Sequence, residues 1–220
     1  MAEADSDGQA LQFRVHLLDI TPMIWRGLQL RADQTLADLH NTIQVAFDWT
    51  DYSLHQFVRR GHFYCAPHAY GLEGDDASRV KLGEMRFKPG ERFSYTYDFI
   101  AFWRHQIRFE RPVALKPGMT YPYCHGGARK SPKEDFGGSW HFMQLLDEHA
   151  PIDLIRQGVG LLHAAQDGEP ALQQYIEDHW PEFPDMMYWL SIDPFDRKEV
   201  NSRLKHYALG NSAWRDRGDL

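Results

Sequence analysis

Cysteine is scarce in this sequence, with only Cys65 and Cys124 among 220 residues. Two cysteines are too few for a disulfide framework. Long apolar runs are missing as well, since no stretch approaches the roughly 20 residues that a membrane helix needs. The first ten residues, MAEADSDGQA, lack the apolar segment of a signal peptide. These absences predict a cytoplasmic protein of a reducing compartment that makes no contact with a membrane.

Positive charge is also in short supply, because the formal net charge is -7 at pH 7. A protein that binds the phosphate backbone needs an excess of Lys and Arg, so nucleic acid is not the expected partner. The hydrophobic content of 43% and the charged content of 25% are typical of a globular protein. We expect a disordered tail over residues 1–10 and a single α+β domain over 11–220.

Signatures of a named chemistry are missing too. The sequence has no HExxH motif, no CxxC pair and no GxxxxGK[ST] phosphate-binding loop. The twelve histidines are weak evidence for a metal when no ligand spacing accompanies them. The sequence therefore predicts a fold class more firmly than it predicts a reaction.

What the sequence does contain is an aromatic stretch with a period of two, from Arg92 to Glu110. Two strands that share one apolar face and fold back as a hairpin give this pattern. The apolar face carries Phe93, Tyr95, Tyr97, Phe99, Trp103, His105, Ile107 and Phe109. The hairpin tip, residues 100–102, is apolar where turns usually carry Gly, Asn or Asp. We expect the C-terminal helices to cover this tip, because Tyr188, Trp189 and Phe195 need something to pack against. Left exposed, the tip would be a contact patch for another protein or another copy of the chain.

The elements before the hairpin are typical of a β-grasp sheet. Strands are expected at 11–20, 24–30, 54–59 and 62–65, and a helix follows the second strand. Thr35 and Asp38 form a capping pair at the start of that helix, whose apolar stripe is Leu36, Leu39, Ile43 and Phe47. The predicted class is α+β, with a β-grasp-like antiparallel sheet, one crossing helix and a long central β-hairpin.

The second half of the chain changes character. Residues 11–115 are rich in strands, residues 116–138 form a Gly-rich loop, and residues 139–220 form a C-terminal helical cluster. Ser139 is the expected cap of the first helix there. The predicted helices cover 140–148, 152–165, 170–179, 184–190 and 196–208.

Several short segments resemble the plasmid pRiA4b Orf-three-like family, over nearly all of the chain after the tail. They are Ile24-Trp25-Arg26, Thr35-Leu36-Ala37-Asp38-Leu39-His40, Trp49-Thr50-Asp51, Leu54-His55-Gln56-Phe57, Tyr97-Asp98-Phe99, Trp103, His105, Cys124, Gly126, Pro132, Glu134-Asp135, Gly137-Gly138, Asp193-Pro194-Phe195 and Glu199-Val200-Asn201. The resemblance implies no chemistry, because the family has no established activity. Some members are labelled mobile-element passengers or resolvase-like.

The hairpin tip departs from the family pattern. Members usually continue Asp-Phe with Gly-Asp, whereas Asp98-Phe99 is followed here by Ile100 and Ala101. If the second Asp were a ligand or a general base in relatives, this chain would have lost that role.

Seven residues form the main candidate site: His55, Asp98, Trp103, His105, Cys124, Glu134 and Asp135. A divalent metal on His55, Asp98, His105 and Cys124 is the chemical interpretation, since these side chains are zinc ligands. The structural interpretation is favoured, with no cofactor. In it, Asp98 and His105 are hydrogen-bonded near the tip, Cys124 is a small buried group, and Glu134 and Asp135 cap a helix.

Three weaker sites remain as alternatives. Cys65 and His68 with Cys124 and His125 would supply a tetrahedral zinc site. Cys124 would act as a nucleophile with His55 or His105 as its base. An anion would dock on the Gly-rich loop, against Gly126, Gly127, Arg129, Lys130 and Lys133, although a solvated loop is favoured there.

The favoured function is a non-catalytic interaction module, accessory to a mobile element, that binds a protein or peptide partner. The alternative is a metal-dependent hydrolase that uses the His, Asp and Cys residues.

Overall fold

The computed structural model describes residues 8–67, 71–149, 151–179, 188–189, 191–192, 194–212 and 214–215. The strands of this part are β1 (Gln9–Leu17), β2 (Trp25–Arg31), β3 (His55–Arg59), β4 (His62–Cys65), β5 (Asp75–Asp76), β6 (Arg92–Tyr97), β7 (Trp103–Ala114) and β8 (Tyr123–Ala128). The helices are α1 (Leu36–Phe47), α2 (Ser139–Glu148), α3 (Pro151–Gln166), α4 (Glu169–His179) and α5 (Arg197–Ala208). None of the helices described combines the length and apolar character needed to cross a membrane.

The eight strands described form one sheet in the order β5-β4-β3-β6-β7-β1-β2-β8. The central hairpin is confirmed, since β6 and β7 pair in antiparallel register with Tyr97 opposite Trp103 and Tyr95 opposite His105. The alternation correctly predicted the buried face, because every second residue from Phe93 to Tyr97 and from Trp103 to Phe109 is buried. The predicted α+β class is confirmed, with a parallel pairing at β4 and β5 only.

Helix α1 packs its apolar stripe on this buried face. The capping box is present: Thr35 Oγ1 accepts the Asp38 amide at 3.1 Å, and Asp38 Oδ2 accepts the Thr35 amide at 2.8 Å. Such a cap contributes about 1 kcal/mol to helix stability. The Phe47 ring meets the His105 ring edge-on at 5.1 Å, and Gln44 donates to the Tyr95 hydroxyl. The crossing helix therefore brings its polar residues against the centre of the sheet.

The hairpin tip is not covered as expected. Ile100 is 97% exposed and Phe102 is 49% exposed, whereas Trp103 is fully buried. The aromatic residues that were expected to cover the tip pack elsewhere, since Trp189 stacks on Phe136 at 5.7 Å. The prediction was therefore wrong for Ile100 and Phe102.

The Gly-rich segment contains a strand that the pattern did not reveal. Strand β8 pairs with β2 at the end of the sheet, where Gly126 and Gly127 lie opposite Gly27 and Arg26. A Cβ atom on Gly127 would lie 2.6 Å from the Phe195 ring. These glycines make room for aromatic rings. Because glycine has a low β-propensity, the sequence predicted a loop where the structure has strand β8.

The start of the C-terminal helices also differs. Helix α2 begins at Ser139 with Gly138 as its N-cap, and no side chain caps it. Capping by Ser139, Glu134 or Asp135 was therefore wrong. Gly138 has φ 95°, and a side chain there would collide with the Ala101 carbonyl oxygen. Close approach to the hairpin tip explains why a glycine is the cap. The helix predicted at 184–190 lies mostly outside the described residues.

Candidate functional site

Three side chains from one helix–loop–strand unit meet beneath the sheet. His40, Asp51 and His55 each offer one ligand atom, and these three atoms lie within 4.8 Å of one another. We call this group the His40 centre. Among the residues that the structure describes, it is the one group of three or more His, Cys, Asp or Glu side chains placed closely enough to hold a metal ion.

Local structure explains how the three residues meet. His40 lies in the middle of α1 on its buried side. Asp51 follows the helix in a loop and has a left-handed φ of 64°, which Asp tolerates better than most residues. His55 is the first residue of β3 and pairs with Tyr97 of the central hairpin. The unit turns back on itself within sixteen residues, so its two ends face each other.

A hydrogen-bonded chain fixes the His40 ring. Gln44 Nε2 donates to the Tyr95 hydroxyl at 2.9 Å, and this hydroxyl lies 2.8 Å from His40 Nδ1. On the other side, His40 Nε2 lies 2.7 Å from Asp51 Oδ1. With Gln44 as donor, Tyr95 donates its proton to Nδ1, and the imidazole proton lies on Nε2 facing Asp51. Both nitrogens of His40 are therefore oriented by partners.

His55 stacks on His40, with ring centroids 3.5 Å apart and planes inclined by 12°. Burial, with the neighbouring His40 as a second cause, lowers the pKa of His55 to about 3. His55 is therefore neutral at pH 7. Its Nε2 is buried and has no hydrogen-bond partner among the described residues, which is unfavourable for a polar atom. The ring thus offers an unprotonated nitrogen of the kind that metals bind.

Asp51 supplies the negative charge of the centre. Burial alone would raise the pKa of Asp51, but the hydrogen bond from His40 and the charge of Arg215 outweigh burial, and the pKa is lowered. Arg215 Nη2 lies 3.1 Å from Asp51 Oδ2. The carboxylate is therefore ionised at neutral pH and has one oxygen directed to each side.

Glu134 anchors the loop that carries Asp51. Its Oε2 accepts the Thr50 amide at 2.7 Å and the Thr50 hydroxyl at 2.6 Å, and its Oε1 accepts a close hydrogen bond from the Tyr97 hydroxyl. Burial and the Glu134 charge raise the pKa of Tyr97. Glu134 therefore positions the residue before Asp51 and does not cap a helix.

Two imidazoles and one carboxylate make a recognised ligand set. Zinc in hydrolytic enzymes is held by two His and one acidic residue, with a fourth position for water. Non-haem Fe(II) uses the same set with more open positions. Such a His is normally oriented through its second nitrogen by a neighbour, as Tyr95 orients His40 here.

Of the seven predicted site residues, only His55 belongs to the His40 centre. Asp98 stabilises the hairpin tip, where its Oδ1 accepts the amides of Ile100 at 2.9 Å and Ala101 at 3.2 Å. Trp103 is buried and donates from Nε1 to the Glu134 carbonyl at 3.1 Å. Asp135 is exposed.

His105 occupies an aromatic environment. Its ring lies 5.1 to 5.3 Å from those of Phe47, Trp49 and Tyr95, and neither ring nitrogen has a hydrogen-bond partner among the described residues. Burial lowers the pKa of His105 to about 3, although backbone groups of Tyr95 and Trp103 favour the charged form. His105 is a neutral core residue, and the predicted hydrogen bond between His105 and Asp98 was wrong, because no carboxylate in the described part of the chain bonds to this ring.

Cys124 is separated from the other predicted ligands. It lies on β8, three strand intervals from His105 on β7, about 14 Å along the sheet. Its Sγ lies 3.3 Å from the Gly126 carbonyl oxygen, and burial raises the pKa of the thiol. The structure therefore does not bring Cys124 together with His105 as a ligand or as a nucleophile–base pair.

The alternative zinc site with two Cys and two His was wrong. Cys65 lies on β4 and Cys124 on β8, six strand intervals apart, or about 29 Å along the sheet. His68 lies outside the described residues. The pattern of residue types gave no information on strand order, and strand order separates these cysteines.

Sequence reasoning missed His40 and Asp51 as site residues. Both stand in the segments that resemble the family, and with His55 they fall within sixteen positions. Their clustering at the helix, the following loop and the next strand is the signal that would have identified them.

Comparisons with known proteins give a family and relatives without a described activity. A model of the family described as "Plasmid pRiA4b ORF-3-like protein" matches residues 9–153. The chain is 28% identical over 139 residues to "Uncharacterized protein y4hQ" of Sinorhizobium fredii (strain NBRC 101917 / NGR234), covering 62% of this chain and 71% of that protein. It is also similar to the crystal structure of "Protein of Unknown Function MM3350" from Methanosarcina mazei Go1. For this structure the TM-score is 0.66 and the identity 27%, covering 88% of this chain and 97% of that chain.

Proposed function

The chain belongs to the plasmid pRiA4b ORF-3-like family, and for this member we propose a metal-dependent hydrolase whose zinc ion is held by His40, Asp51 and His55. The observation that carries the proposal is the convergence of two imidazoles and an ionised carboxylate within 4.8 Å. The centre differs from the predicted metal set, since it keeps His55 and replaces Asp98, His105 and Cys124 with His40 and Asp51.

Two further features support a metal at this place. A metal bond would give the buried Nε2 of His55 a partner, and His55 need not lose a proton to form the bond, because its pKa is about 3. An ion bound to His40 Nε2 would shift the imidazole proton to Nδ1, which would then donate to the Tyr95 hydroxyl oxygen, so Tyr95 would still orient the ring.

The expected chemistry follows from the ligand count. Three protein ligands leave a fourth tetrahedral position for water, and zinc lowers the pKa of its bound water to about 7. Asp51 is partly accessible, with 17% of its side-chain surface exposed, so solvent reaches this side of the centre. His40, Asp51 and His55 would hold the zinc ion, which would supply an activated water for the hydrolysis of an ester, amide or phosphoester.

Metal content tests the proposal. Untagged protein is purified without chelator and analysed by inductively coupled plasma mass spectrometry. We expect about one zinc per chain. His55→Ala should abolish this content, whereas His62→Ala, which removes an exposed histidine from the neighbouring strand β4, should retain it. Equal metal content in the two variants, or none in the wild type after incubation with zinc, would contradict the proposal.

Hydrolysis is tested separately with chromogenic phosphoesters and acyl esters. Activity should disappear after chelation, return with zinc, and be absent from the His55→Ala variant. A protein that binds zinc at the centre but hydrolyses none of these esters would retain the metal site and lose the hydrolase assignment.

Binding of a protein or peptide partner is a second candidate, and the exposed hairpin tip favours it. Ile100, Phe102 and Phe99 present apolar surface at 97%, 49% and 39% exposure. A contiguous exposed apolar patch usually marks a contact site. Membership of a family named after a plasmid gene supports a role accessory to a mobile element.

A matched pair of variants tests the tip. Ile100→Asp should abolish co-purification of a partner from the native host, whereas Val159→Asp, which alters another exposed apolar residue, should leave it unchanged. The same partner yield from both variants would show that the tip does not bind the partner.

The setting of these functions is part of the same proposal. Cys65 and Cys124 are free and buried, which supports a reducing cytoplasm. The predicted boundary between tail and domain at residue 11 was wrong, because β1 begins at Gln9 and Ala10 is buried in the sheet. That the rest of the chain forms a single domain, and that nucleic acid is not a partner, stay predictions. Limited proteolysis checks the former, and a DNA-binding titration at near-physiological salt checks the latter.

A further inference from the structure

A cavity lies at the C-terminal end of α1, where β2 and the start of α5 meet. Its volume is about 380 Å³. We call it the Arg26 cavity. The lining residues that matter here are Arg26, Lys130, Ser131, Ser191, Arg203 and Asp48. None of these residues belongs to the His40 centre.

Arg26 places a buried positive charge in the wall of this cavity. The residue is 2% exposed, and four of its five N–H groups donate to neutral oxygens. The acceptors are the carbonyls of Ala46 at 2.9 Å, Trp25 at 2.8 Å and Ala128 at 3.1 Å, and Ser131 Oγ at 2.7 Å. In the part of the chain that the structure describes, no carboxylate lies within ion-pair distance of Arg26.

A buried guanidinium without a counter-ion is unfavourable. Burial lowers the pKa of Arg26 to about 10, so the group is still charged at neutral pH. The rings of Phe195 at 4.4 Å and Phe47 at 5.0 Å from the guanidinium carbon give partial compensation. An anion in the cavity would supply the missing charge.

Lys130 adds a second cation to the same wall. Its Nζ lies 3.2 Å from Ser191 Oγ and 5.0 Å from the centre of the Tyr188 ring. No carboxylate ion pair with Lys130 occurs within the described ranges. Arg26, Lys130 and the Ser131 hydroxyl therefore share one side of the cavity, and such groups recognise oxyanions. The Ser191 hydroxyl donates its proton to the Tyr188 carbonyl at 3.1 Å and only positions Lys130.

The acidic residues of the lining are engaged in other contacts. Asp48 forms a close ion pair with Arg203, and Glu199 lies 3.9 Å from Arg203 Nε. Asp196 Oδ1 accepts the amides of Lys198 at 2.8 Å and Glu199 at 3.0 Å at the start of α5. These carboxylates restrict an anionic ligand to the side of Arg26 and Lys130, and they favour a compact one.

We propose that the Arg26 cavity binds a compact oxyanion of the phosphate or carboxylate class through Arg26, Lys130 and Ser131. Of the residues that the sequence suggested for an anion, Lys130 alone lines the cavity, while Gly126 and Gly127 are strand residues of β8. The proposal is independent of the zinc centre.

Calorimetric titration of metal-free protein tests it. Chelator-treated protein in chloride buffer is titrated with inorganic phosphate and, in a parallel arm, with acetate. We expect one site with a dissociation constant of about 1 mM or below for at least one of the two anions. The stronger arm identifies the ligand class, and the absence of zinc ensures that a bound metal does not capture the anion.

Two lysine variants of equal charge change complete the design. Lys130→Gln should weaken binding at least tenfold, whereas Lys205→Gln, which removes an exposed lysine near the end of α5, should change it less than twofold. Binding of neither anion by the wild type, or equal weakening in both variants, would overturn the proposal. The His55→Ala variant lacks a zinc ligand and should still bind the anion normally. The anion result therefore does not depend on whether the zinc proposal holds.

Discussion

Two buried imidazole environments lie next to the Tyr95 ring, and they differ in the groups that surround the histidines. The His40 and His105 rings lie 5.9 and 5.2 Å from the ring of Tyr95. His40 has an ionised carboxylate, a tyrosine hydroxyl and a second imidazole around it. His105 has aromatic rings. Burial alone therefore does not make a histidine a ligand, and a carboxylate within hydrogen-bond distance distinguishes the two sites.

The largest expected effect comes from removing the carboxylate that distinguishes them. Asp51→Ala should weaken zinc binding at least a hundredfold, because it removes one of three ligands and the only negative charge among them. At a zinc concentration of about 100 times the wild-type dissociation constant, the wild type should gain about 2.7 kcal/mol in its free energy of unfolding, and the variant should gain at most about 0.4 kcal/mol. Urea unfolding with and without zinc measures both values.

Asp135→Asn is the matched control for that change. Asp135 is exposed and lies outside the centre, so its variant should keep the full zinc-dependent gain. An equal loss of the gain in the two variants would show that general negative charge, and not the His40 centre, holds the ion.

The next effect is the loss of folding stability at low pH, which should be similar for His55 and His105 when metal is absent. The pKa values of His55 and His105 are about 3 in the folded protein, against 6.5 for an unperturbed histidine. Below pH 6.5 the unfolded chain binds more protons, so stability falls as the pH falls towards 3. At about pH 5 the loss should be about 2 kcal/mol for each imidazole. Urea unfolding of metal-free protein at pH 7 and pH 5 checks this.

Replacing His105 by phenylalanine should separate the two environments. His105→Phe keeps a ring of similar size in an aromatic environment, so its free energy of unfolding at pH 7 should change by less than about 1.5 kcal/mol. The acid-induced loss should shrink by about half, and zinc binding should persist. Loss of zinc from this variant would mean that His105 takes part in the metal site after all.

The smallest effect should follow from Arg215→Ala. Arg215 contacts the oxygen of Asp51 that faces away from His40, and 45% of its side chain is exposed. Removing a cation beside a metal site should strengthen zinc binding, by less than about 1 kcal/mol because solvent screens the charge. Competition titration with a fluorescent zinc chelator measures the shift. Weaker zinc binding by this variant would show that Arg215 supports the carboxylate.

The sequence predicted the parts of the fold that depend on local periodicity. Alternation in Arg92–Glu110 correctly predicted the central hairpin, and the Thr35–Asp38 box correctly predicted the start of α1. Strand β8 was not predicted, because its glycines are needed for a close contact with Phe195, which is remote in sequence. The exposure of the tip was not predicted, because Trp189 packs on Phe136 and no sequence pattern indicates that contact.

The candidate site was predicted only in part, because it too depends on contacts between residues that are remote in sequence. His55, Asp98 and Cys124 were grouped on residue type alone, because imidazole, carboxylate and thiolate are zinc ligands. Strand order and the direction of α1 decide which of these side chains meet, and neither can be read from one sequence. His40 lies outside the apolar stripe predicted for α1, and its role depends on contacts with Tyr95 and Asp51 that the sequence does not reveal.

The central claim is that an ion lies between His40, Asp51 and His55. Anomalous diffraction from crystals of zinc-loaded protein, collected on both sides of the zinc absorption edge, tests it most directly. The account predicts one strong peak about 2.0–2.2 Å from a nitrogen of each histidine and an oxygen of Asp51. A peak at any other place, or none at the centre in crystals shown to contain zinc, would contradict it.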